Sequence, residues 1–135
     1  MLRVTGSGPS VVVCKTCRIA PDLRENERGE RGGALLAAAL RMAQADMAEA
    51  QHIGIEEMPC LFACQRHCTV QIRAPGRIGY VLGDFTPGLA SARAILGYAV
   101  LHAQSDEGVV PYAQWPEGVK GHFIVRTPPE GFICT

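Results

Sequence analysis

Five of the six cysteines fall into two short groups, Cys14 and Cys17 as C-K-T-C, then Cys60, Cys64 and Cys68 as C-L-F-A-C-Q-R-H-C. Thiolates two to four residues apart can be aimed at one centre by a tight turn, as in zinc sites and iron–sulfur clusters. Three chemistries use such sulfurs. A 2Fe-2S cluster held by Cys14, Cys17, Cys60 and Cys64 would carry one electron at a time, at a potential set by charge, exposure and hydrogen bonds to sulfur. The amides of Thr16, Phe62 and Ala63 lie in the ligand loops and could supply such bonds. A tetrahedral zinc on the same four thiolates would be redox-inert and would staple two loops. A dithiol centre on Cys14-Lys15-Thr16-Cys17 would exchange disulfides, but an activated thiol of that kind sits at a helix N-terminus. Here Pro21 and the charged stretch from Asp22 to Arg31 separate Cys17 from the first predicted helix, and three further cysteines would go unused.

The neighbours of these sulfurs divide in the same way. Cys68 reads as a core-facing thiol or a spare ligand; were the stretch from Pro59 to Cys68 helical, Cys60, Cys64 and Cys68 would share one face. His67 could replace a thiolate, as histidine does in Rieske centres, or face solvent or donate a hydrogen bond to sulfur. Lys15, Arg18 and Arg66 would offset the negative charge of a four-thiolate cluster, or are ordinary solvated charges. Cys134, beside the C-terminus, reads as a bystander.

The elements that must position these groups follow from periodicity. Val11, Val12 and Val13 read as a buried strand that delivers Cys14 at its end. Asp22 to Arg31, apolar only at Leu23, reads as a mobile surface loop with no chemistry of its own. Gly33 to Gln51 predicts a long helix with Leu36, Leu40, Ala43 and Met47 on one stripe. Ile53 and Ile55 alternate in a weak second strand that stops at Pro59, before the second cysteine group. Thr69 to Arg73 and Ile78 to Leu82 flank Ala-Pro-Gly-Arg, which predicts an antiparallel hairpin. Thr86 reads as an N-cap and Pro87 as the first residue of a second helix, with Leu89, Ala92, Leu96 and Val100 facing inward towards His102. The tail, with Phe123 to Val125 as its one apolar run, adds an edge strand or drapes over the core. This order predicts an α/β layer of about four strands in a mixed sheet with two main helices. If the two strands that precede the cysteine groups run parallel as neighbours, the groups meet at one end of the sheet.

At 135 residues, with 13 basic and 13 acidic side chains, the chain fits one domain and has no basic excess to attract nucleic acid. The expected division is 1–104 for the cluster-binding part and 105–135 for an extension packed on the same domain. The first ten residues lack the apolar run of a signal peptide, and no stretch approaches a membrane span. That predicts a soluble cytoplasmic protein, in a compartment where paired cysteines more often bind metals or do redox work than form structural disulfides. Nucleotide-binding glycine loops, H-E-x-x-H and G-x-S-x-G are absent, so an electron carrier or metal-binding accessory is expected ahead of a stand-alone enzyme.

Cys60-Leu-Phe-Ala-Cys64, the strand Thr69-Val-Gln-Ile, the Pro75-Gly76 turn, the strand Ile78-Gly-Tyr-Val-Leu-Gly and the Thr86-Pro87 helix start resemble, in that order, the second half of the thioredoxin-like 2Fe-2S ferredoxins. The resemblance implies a thioredoxin-like ferredoxin fold, a 2Fe-2S cofactor, a redox partner protein and homodimer formation. It assigns Cys60 and Cys64 to the second ligand pair and Cys14 to the first position. Cys17 takes the remaining place, closer to Cys14 than is usual in that family. The whole chain also resembles a family of small bacterial proteins described only as metal-binding by prediction and often encoded near cobalamin-synthesis genes, which implies a link to cobalamin metabolism.

Overall fold

Three consecutive valines start the sheet. In the computed structural model, which describes all of residues 1–135, β1 (Ser10–Cys14) is buried along its whole length. Val11 and Val13 enter the apolar core, and strand alternation sends Ser10, Val12 and Cys14 to the opposite face. β2 (Gly54–Met58), β3 (Val70–Arg73), β4 (Gly79–Leu82) and β5 (Phe123–Thr127) complete a sheet of order β2-β1-β3-β4-β5. β1 and β2 run parallel, with Cys14 level with Met58, and the remaining pairs are antiparallel. The sheet therefore has five strands where the sequence predicts about four. The fifth is the tail run, which pairs with β4 through a register shift beside Val81 and Leu82.

Two helices, α1 (Gly32–Ala45) and α2 (Leu89–Gln104), pack on each other and on the sheet. Leu36, Ala37, Leu40 and Ala43 of α1 meet Ala92, Ile95, Leu96 and Ala99 of α2 in one core with Val11, Val13, Ile55, Val70, Ile72 and Leu82. α1 is shorter than its composition predicts, because two side-chain amides close its end. Gln44 Nε2 donates to the carbonyls of Ala50 and Ile53 at 2.9 and 2.6 Å, and Gln51 Nε2 reaches back to Gln44 and Met47. A single 3-10 turn at Ala48–Ala50 then leads into β2. α2 begins later than Thr86-Pro87 predicts: Gly88 precedes the first helical residue, and the Thr86 carbonyl accepts from the Ser91 hydroxyl at 2.7 Å. Leu89, expected to face inward, is 37% exposed.

Tyr80, Tyr98, Trp115 and Phe123 pack edge-on or tilted against one another, and the two tyrosines flank the buried His102, whose Nε2 lies 2.6 Å from the Ile78 carbonyl. Val110 and Val119 from the chain beyond α2 enter the same apolar core. No helix is long and apolar enough to cross a membrane.

The start of α1 touches the first cysteine loop directly. A Cβ on Gly33 would fall 1.8 Å from the Cys14 carbonyl oxygen, and one on Gly32 would fall 2.2 Å from that of Arg18. Only glycine allows this approach. Gly33→Ala, despite a gain in helix propensity of about 1 kcal/mol, is expected to lower stability by more than about 2 kcal/mol through overpacking. Gly97→Ala in α2, whose nearest obstacle is 3.4 Å away, should be neutral or slightly stabilising; urea midpoints of both variants test the contrast.

Candidate functional site

The cysteine groups meet because two parallel strands end level with one another. Cys14 closes β1, and its amide donates to Thr69 at 3.1 Å while that of Lys15 donates to Met58 at 3.0 Å. Thr16 then turns its hydroxyl onto the Pro59 carbonyl, joining the first cysteine loop to the second. Cys14, Cys17, Cys60 and Cys64 line one cavity of about 320 Å³ at this end of the sheet. All six cysteines are free thiols.

Within the cavity the four sulfurs form two pairs. Cys60 and Cys64 stand 3.5 Å apart at the exposed mouth, and the Phe62 amide donates to Cys60 Sγ at 3.2 Å. Two thiolates about 2.3 Å from one tetrahedral metal would stand about 3.8 Å apart. Cys14 and Cys17 form the inner pair, 3% and 8% exposed. The Cys17 thiol donates to Cys14, which lowers Cys14 to about 5; burial opposes this, and the amides of Leu61 and Thr16 with the Thr16 hydroxyl assist it. Giving up its hydrogen in this way, together with burial, pushes Cys17 upward, even though Thr69 Oγ1 lies 3.1 Å from its sulfur. Cys64 is raised by its contact with Cys60. The inner pair thus titrates as one coupled unit, with Cys14 lowered and Cys17 raised. No three Cys, His, Asp or Glu side chains close on a single point.

Four arginines line the same cavity: Arg18, Arg24, Arg31 and Arg66, with no carboxylate among the lining residues. The sequence identifies Arg18 and Arg66 but not Arg24 and Arg31, because it reads Asp22–Arg31 as a mobile loop without chemistry. That loop is instead tied into a small hairpin by bridges between Ala20 and Leu23 and between Glu25 and Arg31. Asn26 Oδ1 accepts from the amides of Arg28 and Glu30 at 3.0 and 2.9 Å, and Gly29 takes φ +76°. An asparagine three residues ahead of a glycine was the available signal for this turn. Arg31 Nη1 donates to the Thr16 carbonyl at 2.9 Å, fixing the hairpin over the first cysteine loop. Lys15 is exposed and does not line the cavity.

Three other candidates lie elsewhere. The stretch from Pro59 to Cys68 is not helical, and Phe62 and Cys68 have positive φ values of 60° and 46°. Cys68 consequently turns into the core, fully buried, with its Sγ 3.4 Å from the Arg18 carbonyl. Burial and the Cys14 charge push its thiol up to about 12, so it stays neutral. His67 is directed to Asp84, with Nδ1 3.4 Å from Oδ1, and its carbonyl accepts from the Asp84 amide at 2.6 Å. It does not line the cavity, unlike Arg66, which pairs with the other oxygen of Asp84. Cys134 borders a different cavity, with Gly76, Ile78 and Arg126. The start of α1 also lies nearer the first cysteine loop than their separation in sequence predicts. Although the hairpin separates Cys17 from α1 in sequence, the Gly33 amide donates to the Cys17 carbonyl at 3.2 Å. The helix start therefore meets the backbone of the loop, while its sulfurs point to the cavity.

A five-stranded mixed sheet with α1 and α2 packed on it, and a cysteine loop at the end of each strand of its parallel pair, is a thioredoxin-like α/β fold. A thioredoxin-like [2Fe-2S] ferredoxin from Aquifex aeolicus has this fold, with a TM-score of 0.51 and 18% sequence identity over 95% of this chain and 100% of that one. Residues 11–129 match the family described as "Protein of unknown function (DUF1636)", and the chain belongs to that family. No curated protein matches the sequence.

The burial pattern predicts an order of thiol reactivity. In the reduced, metal-free chain, iodoacetamide should modify Cys64 and Cys60 well before Cys17 and Cys68, which should react only when urea opens the fold. Mass spectrometry of timed samples reads this order, and early labelling of Cys68 would contradict its placement in the core.

Proposed function

We propose that the chain binds a 2Fe-2S cluster through Cys14, Cys17, Cys60 and Cys64 and acts as a one-electron carrier or cluster-bearing accessory. The observation that supports this reading most is the sharing of one cavity by two thiol pairs from distant chain segments. Two sulfur pairs lining a space larger than one ion suit a dinuclear centre with two ligands on each metal atom. A single tetrahedral zinc, by contrast, needs all four sulfurs around one point. The donor set is fit for iron: four thiols, no competing carboxylate, and amides of Thr16, Leu61 and Phe62 beside the sulfurs.

When bound, the cluster supplies reversible one-electron chemistry. The protein's residues do the rest. Cys14, whose thiol is lowered by its neighbours, is the readiest of the four to serve as an anionic ligand, and the thiols release their protons on loading. The amides next to Cys14 and Cys60 stabilise negative charge on sulfur, and the arginine side chains offset the charge added on reduction. Thr69 and the core beneath it exclude water from the inner pair. The near-complete burial of Cys14 and Cys17 disfavours disulfide exchange, which must present a sulfur to a partner. In this reading the carrier serves cobalamin metabolism in the cytoplasm and forms a homodimer, roles that the family resemblances suggest.

Anaerobically purified protein should be red-brown, with visible absorption that dithionite bleaches and two irons per chain. Cys60→Ala and Cys64→Ala should lose this absorption and Cys134→Ala should keep it. Cys68→Ala should keep it at a stability cost of about 1–3 kcal/mol, the range for a small buried truncation. A colourless protein carrying one zinc would contradict the proposal.

A further inference from the structure

The charge balance of the whole chain hides a local asymmetry. Of 13 basic side chains in a neutral protein, four line the thiol cavity without one acidic neighbour in its wall. Arg31 and Arg66 are partly engaged, with Glu25 and Asp84. Arg18 and Arg24 make no ion pair and no side-chain hydrogen bond, although both are exposed. Unpaired guanidinium groups around a concave surface focus positive potential at its mouth.

An aromatic side chain stands at the same mouth. Phe62, between Cys60 and Cys64, is 93% exposed and is held at φ 60°, a conformation that is an outlier for a bulky residue. Its amide is bound to Cys60 Sγ, so the backbone that anchors the sulfur also projects the ring into water. A large exposed apolar side chain in a strained position persists where it serves contact with another molecule. Phe62 lies in the loop between Cys60 and Cys64, whose cavity the arginines line, and aromatic and arginine side chains are the types enriched in protein interfaces.

We infer that this mouth is a docking surface for an acidic protein partner, with Phe62 as its apolar anchor and Arg18 and Arg24 as the groups that steer it. The inference rests on the proposed cluster reading in one respect: the partner that docks there would exchange electrons with the centre beneath. The docking geometry itself depends only on the arginines and Phe62.

Two measurements test it, and they fail separately. In the first, the reduced, iron-loaded protein is mixed with an acidic flavodoxin and, in parallel, with the basic cytochrome c. Transfer to flavodoxin should slow about tenfold between low and physiological salt, as steered association does, while transfer to cytochrome c should not slow. Arg18→Gln with Arg24→Gln should remove the salt dependence, and Phe62→Ala should slow the flavodoxin reaction at both salt concentrations. The opposite salt dependence would overturn the inference. So would inhibition by inorganic phosphate beyond its ionic strength, which would assign the arginines to a small anion.

The second measurement uses the reduced chain without metal and compares alkylation of Cys64 by iodoacetate and by iodoacetamide. Their ratio divides out thiol reactivity and reads the local potential. The double arginine variant should lower it several-fold. An unchanged ratio overturns the inference whatever the cofactor is. A lowered ratio in a protein that never binds iron supports the basic surface and removes the cluster reading alone.

Discussion

Parallel pairing of β1 with β2 is the constraint on which the site depends. Parallel strands leave the sheet at the same end, so level pairing of Cys14 with Met58 puts the two cysteine loops side by side. The ladder continues one step beyond β1, through the Lys15 amide to Met58, while the Cys14 amide is bound on the other side to Thr69. Cys14 is thereby held between two strands. The Thr16 hydroxyl on Pro59 closes the gap between the loops. Much of the entropy of gathering four thiols is already spent in forming the core, which is how a small fold can hold a reactive centre in a defined place.

Charge in the cavity follows from that gathering. Four thiols lining one cavity cannot all ionise without a cation, and the inner pair titrates as a unit, with Cys14 lowered beside the Leu61 and Thr16 amides and Cys17 raised. The arginines occupy the outer wall, two of them fixed by contacts to Thr16 and Asp84. Asp84 links the cysteine loop to the segment after β4, holding Arg66 by its carboxylate and His67 by its backbone and side chain. Burial raises this carboxyl group, yet the Arg66 contact and the His67 interactions outweigh it and leave Asp84 lowered, hence charged at neutral pH.

The features legible in the sequence were those with local causes. Alternation around Pro75-Gly76 identified the β3–β4 hairpin, helical spacing identified both helices, and cysteine spacing picked out the four residues that line the cavity. What escaped has non-local causes. α1 ends where Gln44 and Gln51 bind carbonyls across a turn, and of the two readings of the tail, an edge strand or a drape, only the return of the chain to the free edge of β4 selects the strand. Arg24 and Arg31 fall in the stretch that reads as a mobile loop, because nothing in their own type shows that Asn26 folds it back over the first cysteine loop. His67 looked like a candidate ligand because its partner, Asp84, lies beyond the hairpin. Cys68 is withdrawn from the cavity by a positive φ at a residue type that gives no warning of it.

The most direct test of the central claim is diffraction from anaerobically grown crystals, with anomalous data collected at the iron edge. Two adjacent iron peaks between the Cys14–Cys17 pair and the Cys60–Cys64 pair are predicted, each within bonding distance of two of these sulfurs. A lone zinc peak, or iron bound by Cys68 or His67 in place of one of the four, would contradict it.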